Sequence, residues 1–236
     1  MLPGPVAIPA NAATLISRPA PVVTMAKNSP PMSDAELAGH IGGRRSVRRY
    51  QPSSISRDVV ERLLTAASSA PSAHNKQPWR FTVLDTFDSR HTLAQAMGRK
   101  LRQDRTADGD SSELIEADID RSYQRITQAP LAIVLCVDMR DMQQYPDQAR
   151  NDAEYLMAVQ STAMAAQNLL LAARAENLGA SVMCAPLFCP EVVVENLQLP
   201  PQWRAQMLVT IGEPAAPGKE RPRLSLDETT QWHSDE

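Results

Sequence analysis

The stretch "DAEYLMAVQSTAMAAQNLLLAARAENLG", residues 152–179, predicts the longest helix of the chain. A helix from about Asp152 to Glu176 would be roughly 37 Å long. Leucine, valine, methionine and alanine occur all around its circumference, and a helix that is apolar on every side must be buried on every side. It is either the central core helix of a monomer or a helix that packs on its own fold on one side and on a partner subunit on the other. The second arrangement is favoured, because a domain of this size rarely encloses so long a helix.

The segments on either side of this helix predict a few buried strands among many helices. The strands are expected in "WRFTVLD" (79–85), "LAIVLCVD" (131–138) and "AQMLVTIGEP" (205–214), with a short strand or turn in "ASVMCAP" (180–186). Ser33 and Ser56 are expected to cap two helices before the first strand, and Pro71 to end the second of them. Further helices are expected in residues 90–105, in residues 107–126 after an initial loop, and in residues 189–199. The order of elements is that of a mixed α/β or α+β domain.

Composition and charge limit the possible functions. The 236 residues are 43% hydrophobic and 22% charged, with a net charge of -3, which gives no indication of nucleic-acid binding. Three cysteines (Cys136, Cys184 and Cys189) are odd in number, so a reducing, cytoplasmic location fits, and their spacing predicts no metal site. Residues 1–33 contain seven of the 19 prolines and no apolar run long enough to span a bilayer, so they predict a flexible or extended arm, or sequence upstream of a start near Met25 or Met32. Residues 34–236 are expected to form one domain, with no membrane partner.

Two short tracts concentrate positive charge at opposite ends of the domain. "GGRRSVRRY" (42–50) places Arg44, Arg45 and Arg48 around Ser46, and "KERPR" (219–223) contains Arg221 and Arg223. The planar guanidinium group matches the oxygens of a phosphate, and a serine hydroxyl adds a donor. Each tract could be an ordinary solvated surface segment. The alternative is that the fold joins both tracts around one dianionic phosphate.

A crowded polar turn, "APSAHNKQPWRF" (70–81), separates a predicted helix from a predicted strand. Its backbone N–H groups and the Asn75 amide offer several hydrogen-bond donors and acceptors. Ser72 and His74 lie two residues apart on a turn, and this spacing does not favour a Ser–His–Asp hydrolase. We predict no catalytic side chain and no metal ligand.

Together the segments "RRSVRRY", "APSAHNKQPWRF", "MAAQNLLLAARAENLGA" and "RPRLSLDETTQW" resemble the FMN-dependent nitroreductase family, over roughly residues 34–233. The middle of the chain is similar to the nitroreductase-like C-terminal domain of the deazaflavin-coenzyme synthesis enzyme, whose glutamyl ligase domain has no counterpart here. The resemblance implies an α+β fold of three layers, with a central, mostly antiparallel sheet flanked by helices. It also implies an intertwined homodimer with FMN bound in clefts at the interface.

The resemblance also implies which residues contact FMN. Six match the two segments that close on the phosphate: Arg44, Arg45, Ser46, Arg48, Arg221 and Arg223. Five match, or lie close to, a turn that reaches the flavin from the other subunit: Pro71, Ser72, Ala73, Asn75 and Gln77. Three match the segment that lines the flavin ring: Met183, Cys184 and Ala185. The acidic residue and the glycine that many family members have near this last segment are missing.

The implied activity is FMN-dependent NAD(P)H oxidoreduction, with ping-pong hydride transfer to nitroaromatic, quinone or similar planar acceptors. One alternative is the reduction of a dehydro-deazaflavin precursor, whose anionic tail Arg99, Lys100, Arg102 and Arg105 could hold; a solvated basic surface is the other interpretation of these four residues. A second alternative is a non-catalytic flavin-binding or storage protein. The sequence does not distinguish NADH from NADPH.

Overall fold

The computed structural model describes residues 32–233. Its helices are α1 (Asp34–Gly42), α2 (Arg57–Ser68), α3 (Phe87–Ala107), α4 (Ser112–Thr127), α5 (Gln148–Ala175), α6 (Pro190–Asn196) and α7 (Leu226–Thr229). Its strands are β1 (Trp79–Leu84), β2 (Leu131–Asp138), β3 (Gly179–Met183) and β4 (Trp203–Gly212). Short 3-10 helices cover Ala73–Asn75 and Ala185–Phe188. The predicted arm, residues 1–33, lies outside the described residues except for its last two.

The four strands form one sheet in the order β1-β2-β4-β3, and every neighbouring pair is antiparallel. The strand β2 is buried at every position, as its continuous apolar run predicts. Its side chains alternate between the two faces of the sheet. Ile133 and Leu135 belong to one hydrophobic cluster, and Val134 and Cys136 belong to another.

Each cluster joins the sheet to its own layer of helices. On one face, Leu63 of α2 and Leu169 of α5 lie in the first cluster. On the other face, Leu93 of α3, Ile126 of α4 and Val193 of α6 complete the second. The predicted three-layer α+β architecture is therefore confirmed.

The long helix α5 begins four residues before the expected start, because Asp147 caps it by accepting a hydrogen bond from the Arg150 amide at 2.9 Å. Its 28 residues make it about 42 Å long. One side packs on α2 and the sheet, whereas Leu156 and Met164 on the same helix are 55% and 40% exposed. Among residues 32–233 it is the one helix long and apolar enough to cross a membrane, and its packing on the sheet is that of a core helix. A single subunit therefore does not cover the whole helix.

Candidate functional site

The two basic tracts meet at one open cavity of about 740 Å³. We call it the basic cavity. Residues 44–49 form one wall, residues 216–221 and Arg223 form a second, and the last two turns of α4 form a third. The tracts are separated by about 170 residues of sequence, so only the tertiary fold brings them together. All six residues predicted to contact a phosphate line this cavity: Arg44, Arg45, Ser46, Arg48, Arg221 and Arg223.

The first tract is held against the edge of the sheet by backbone pairing. Ser46 forms a parallel bridge with Ala180 of β3, and the Val47 amide donates to the Ala180 carbonyl at 3.1 Å. The Val47 side chain is buried against Gly179, where a Cβ atom would lie 2.6 Å from the Val47 Cβ. Alternation along this extended segment buries Val47 and leaves its neighbours Ser46 and Arg48 free to face the cavity.

Tyr50 anchors the end of the same tract. Its hydroxyl donates to the Val47 carbonyl at 2.6 Å and lies 2.9 Å from the Thr210 Oγ1 in β4. Burial raises the pKa of the Tyr50 hydroxyl to about 12, so the neutral form persists throughout the physiological range. The arginines therefore extend from a segment whose own position is fixed by the sheet.

The second tract reaches the first through the chain that follows β4. Tyr50 bridges Pro214, and the Ala215 amide donates to the Arg49 carbonyl at 3.0 Å. Gly218 then passes so close to Arg45 that a Cβ atom on it would lie 2.4 Å from the Arg45 Cβ. The two tracts are thus in direct contact, and their approach depends on a residue without a side chain.

The arginines of the first tract differ in whether their guanidinium groups already have partners within the protein. Arg45 pairs with the exposed Glu220 carboxylate at 3.0 Å and also donates to the Gly42 carbonyl. The guanidinium groups of Arg44 and Arg48 form no ion pair with any other residue in the range 32–233. Within residues 32–233 the exposed Arg49 has no ion pair either, so Arg44, Arg48 and Arg49 are the arginines of this tract that are available to a ligand.

Charge in the basic cavity is strongly unbalanced. Nine arginine and lysine side chains line it, but only one carboxylate does, that of Glu220. Burial, and after it the charges of Arg223 and Arg45, lowers the pKa of the Arg44 guanidinium. Cations are held this close together only at a cost in free energy, which a bound anion removes. The cavity is therefore suited to an oxyanion.

Three residues of α4 and its C-cap residue were not anticipated as part of this site. Arg121, Gln124, Arg125 and Gln128 follow one another at helical spacing and line the basic cavity. The spacing of these donors is visible in the sequence. Nothing local, however, indicates that this face of α4 lies against a tract about 75 residues earlier.

The turn over residues 71–77 does not contribute to the walls of the basic cavity. It lies on α5, where the Ala73 amide donates to the Ser161 Oγ at 3.2 Å. Its shape is fixed internally by a hydrogen bond from the Gln77 amide to the Ser72 Oγ at 3.0 Å. Three residues that are not glycine have positive φ angles: His74 at 51°, Asn75 at 53° and Gln77 at 47°.

This conformation costs free energy at each of the three residues, and such strain is commonly found at functional sites. Asn75 and Gln77 are both exposed, with the Gln77 Nε2 3.4 Å from the Asn75 Oδ1, and Pro71 is exposed as well. The turn therefore presents a fixed set of amide groups outward. Its predicted contact with the flavin of the other subunit stays a prediction.

The segment Met183, Cys184 and Ala185 lies at the end of β3, three to five residues beyond the Ala180 that pairs with Ser46. At about 3.3 Å per residue of strand, Met183 lies roughly 10 Å along β3 from Ala180, and Ala185 begins the 3-10 helix that follows. Cys184 is exposed, and Met183 packs against the cluster of α3, α4 and α6. Ala185 lines a separate small cavity of about 100 Å³ between α3 and α4.

The basic end of α3 is neutralised by the protein itself. Arg102 pairs with Glu116 at 2.6 Å, Arg105 with Asp110 at 2.6 Å, and Lys100 with Asp104 on its own helix. The side chains of Arg102 and Glu116 tie α3 to α4. Three of the four positive charges at this end are therefore already matched, which favours the solvated-surface interpretation of residues 99–105 over a substrate-binding one.

Two of the three cysteines are buried outside the basic cavity. Burial raises the pKa of the Cys136 thiol to about 12 and that of the Cys189 thiol to about 11, so both stay protonated. Within residues 32–233, no group of three or more His, Cys, Asp or Glu side chains is placed to hold a metal ion.

Two relatives of known name are similar to most of the chain. The 5,6-dimethylbenzimidazole synthase of Rhodobacter capsulatus is 34% identical over 176 residues, which cover 72% of this chain and 80% of the relative. The 5,6-dimethylbenzimidazole synthase of Rhodospirillum rubrum is 31% identical over 202 residues, which cover 81% of this chain and 86% of the relative. The narrower resemblance to the deazaflavin-coenzyme synthesis enzyme stays a prediction.

A solved structure has the same architecture. It is described as a nitroreductase of Desulfovibrio desulfuricans in complex with FMN, and it superposes with a TM-score of 0.65 at 23% identity, covering 87% of this chain and 99% of that one. At this level of identity the likeness supports the fold. The sequence profile of the Nitroreductase family matches residues 41–213, from the end of α1 to the end of β4. The chain therefore belongs to the nitroreductase family.

Proposed function

We propose that the chain is an FMN-dependent NAD(P)H oxidoreductase that acts as a cytoplasmic homodimer. The observation that carries this proposal is the convergence of two arginine tracts, from opposite ends of the domain, on one cavity that contains a single carboxylate. Family membership supports it, because the structural relative from Desulfovibrio desulfuricans is an FMN complex.

The residues of the basic cavity fit the phosphate of FMN. Arg44, Arg48, Arg221 and Arg223 supply forked donors, and the Ser46 hydroxyl supplies another. A dianionic phosphate would stabilise these crowded guanidinium groups, which have no carboxylate partner within residues 32–233. Under this proposal they bind and orient the cofactor at its phosphate end.

Met183, Cys184 and Ala185 are the residues proposed to line the flavin ring. The isolated bridge between Ser46 and Ala180 places the phosphate tract beside β3, and β3 ends at Met183. Bound FMN would supply the redox chemistry, taking a hydride from NAD(P)H and passing electrons to a second planar molecule. The chain supplies position and charge, and positive charge near a flavin favours its anionic reduced form.

A homodimer would complete the site. The turn containing Asn75 and Gln77 lies away from the basic cavity of its own chain, so under this proposal it contributes to the partner's site. Exposed apolar groups of large size mark surfaces of association. Among the large exposed apolar side chains are Leu37 and Ile41 of α1, Leu156 and Met164 of α5, and Leu224, Leu226 and Trp232 of the C-terminal segment.

The electron donor and the acceptor would occupy the same place in turn, which gives ping-pong kinetics. The chain has no separate dinucleotide-binding motif, so NADH and NADPH both remain candidates. Nitroaromatic compounds, quinones and similar planar molecules are the proposed acceptors, because such molecules can stack on a flavin ring.

A second candidate activity is 5,6-dimethylbenzimidazole synthesis. Two relatives with this name, at 34% and 31% identity, favour it. The dimethyl-substituted benzene ring of that product, with its two attached nitrogens, also occurs in a flavin. Mass spectrometry of the reduced, FMN-loaded protein after exposure to air separates the two activities: formation of 5,6-dimethylbenzimidazole supports the synthase, and recovery of intact FMN supports the reductase.

Two further activities have less support. For the reduction of a dehydro-deazaflavin precursor, two of the four basic residues that could hold its anionic tail, Arg102 and Arg105, are paired with acids of the hairpin formed by α3 and α4. A flavin storage protein would bind FMN without turnover. Rapid bleaching of the bound flavin by NADPH, followed by recovery of the colour with a quinone, would exclude storage.

The decisive experiment compares FMN binding by the wild type and the R221A/R223A variant. Each lost charge-assisted contact to phosphate is expected to weaken FMN binding at least about tenfold. The control variant, R57A/R62A, removes two exposed arginines of α2 that pair with Glu61 and Glu176, and it should bind FMN as the wild type does. If the wild-type protein is colourless after incubation with excess FMN and removal of the free cofactor, the proposal is contradicted.

A further inference from the structure

The cavity-facing side of α4 adds donors that one FMN phosphate does not require. Arg121, Gln124, Arg125 and Gln128 lie along about two turns, at and just beyond the end of the helix, and all four line the basic cavity. None of them belongs to the two tracts assigned to the phosphate. We call these four side chains the α4 donor face.

The charges on this face are incompletely matched. Arg121 pairs with Asp118 at 2.8 Å, but Asp118 is shared with Arg105. Arg125 is half-buried and has no ion pair within residues 32–233. Burial, and after it the charges of Arg48 and Arg121, lowers the pKa of the Arg125 guanidinium, and the Asp118 carboxylate opposes them only weakly.

The helices α3 and α4 form a hairpin, and the arginines at its other end are paired in a purely structural way. There Arg102 has Glu116 as its own partner, and Arg105 has Asp110 and Asp118. The hairpin thus neutralises the arginines that hold α3 to α4. Arg125, at the basic cavity, is left without such a partner.

The cavity also has room for more than a phosphate. Its volume of about 740 Å³ is within the range of roughly 300–1,000 Å³ that is typical of sites for whole small molecules. The Glu220 carboxylate is its single negative side chain, set against nine cationic ones, so a dianion leaves most of the charge unmatched. A second oxyanion would therefore be attracted to the part of the cavity that the phosphate tracts do not occupy.

We propose that the α4 donor face is a second oxyanion subsite, which holds an anionic group of the reactant that exchanges electrons with the flavin. Such a subsite depends on the proposed oxidoreductase function. The anionic group could belong to the dinucleotide donor, which carries phosphates, or to an acceptor that carries a carboxylate. Two guanidinium groups and two amides supply the bidentate and planar donors that either oxyanion needs.

The test uses the FMN-loaded R121Q/R125Q variant in rapid-mixing experiments. One arm measures the apparent Kd of NADPH and NADH during anaerobic flavin reduction. The other measures reoxidation by 4-nitrobenzoate and by its uncharged methyl ester. Inorganic pyrophosphate binding to the oxidised holoenzyme, followed by calorimetry, gives a readout independent of turnover. The control, R57Q/R62Q, removes the same number of charges from the exposed surface of α2.

We expect R121Q/R125Q to weaken pyrophosphate binding at least about tenfold and to raise the Kd of one anionic reactant by a similar factor. A raised Kd for the dinucleotides identifies the donor, and a raised Kd for 4-nitrobenzoate but not its ester identifies the acceptor. All values within about twofold of the wild type would overturn the inference. So would weakened FMN binding with unchanged reactants, because the face would then belong to the FMN phosphate site.

Failure of the proposed function gives a different result. A wild-type protein that neither binds FMN nor reacts with NAD(P)H would overturn that function, and the second subsite with it. An FMN-loaded wild type that turns over normally, beside an indistinguishable R121Q/R125Q variant, would overturn the subsite alone.

Discussion

Gly218 occupies a position in the second basic tract where a side chain would collide with Arg45. A Cβ atom there would lie 2.4 Å from the Arg45 Cβ, so Gly218→Ala must push the C-terminal segment away from the first tract. We expect FMN affinity to fall by about tenfold, measured by fluorescence titration. Because this segment is near the surface, Tm should change by less than about 2 °C.

Gly39→Ala is the matched control for that substitution. Nothing lies within 4 Å of a Cβ at Gly39, which is within α1. Alanine in a helix is more favourable than glycine by about 0.5–1 kcal/mol, so this variant should be slightly more stable and bind FMN normally. Equal FMN affinity in both variants would show that the contact between Gly218 and Arg45 does not shape the phosphate site.

Tyr50 contributes to the stability of the fold and also fixes the position of the first tract. Tyr50→Phe removes the hydrogen bonds to Val47 and Thr210 and should lower the free energy of unfolding by about 1–3 kcal/mol near neutral pH. The pKa of Tyr50 is raised by burial to about 12 in the folded protein, above its ordinary value of 10.0. Its contribution is therefore complete below about pH 10 and is lost as the pH rises from 10 to 12.

Urea unfolding at a series of pH values tests this prediction. The difference in unfolding free energy between the wild type and Tyr50→Phe should be constant up to about pH 10 and should shrink above it. A difference that stays constant up to about pH 12 would mean that the Tyr50 hydroxyl is not desolvated in the folded protein.

The elements themselves differ in how far the sequence predicts them. Caps are local signals: Ser33 exchanges two hydrogen bonds with Glu36, and Ser56 accepts from the Val59 amide, so both helix starts were predictable. The α4 donor face was not, because its function depends on contact with a tract on a distant segment. The strain in the turn at residues 74–77 was also hidden, since no glycine marks the positive φ angles.

Two substitutions at Asn75 separate the effect of its side chain from the effect of the backbone conformation of that turn. Asn75→Ala and Asn75→Gly both remove the amide proposed to face the flavin, but only glycine relieves the positive φ angle of 53°. Glycine should therefore give the more stable protein, by about 1 kcal/mol in denaturant unfolding, while FMN affinity falls to a similar extent in both. If only the alanine variant lost affinity, the shape of the turn and not the amide would be what the cofactor requires.

In the whole molecule, the helix α5 belongs both to the core of the domain and to the surface that is proposed to form the dimer. Its buried side includes Ala158, Ala165, Leu169 and Ala173, which pack against the rest of the domain. The prediction that one subunit does not enclose the helix agrees with the exposure of other apolar side chains along it. Sequence periodicity does not separate core positions from interface positions, because both need the same apolar chemistry.

A double substitution on α5 tests the proposed dimer. L156E/M164E places two carboxylates on apolar positions that are 55% and 40% exposed in one subunit, so the subunit should still fold. In a dimer interface the same carboxylates would be buried without partners, which is unfavourable by several kcal/mol. Analytical ultracentrifugation should show a wild-type dimer and a variant monomer with native circular dichroism. Because the turn of the partner would be missing, we expect FMN affinity to fall at least about tenfold.

The control places a carboxylate on an apolar position outside this surface. Phe87 at the start of α3 is 54% exposed, and a glutamate in the first turn of a helix is favourable, so Phe87→Glu should remain dimeric and yellow. A monomeric wild type that binds FMN tightly would remove the need for a partner's turn in the site. A dimeric L156E/M164E variant would instead place the interface elsewhere, and the exposed side chains of α1 and the C-terminal segment would be the next positions to substitute.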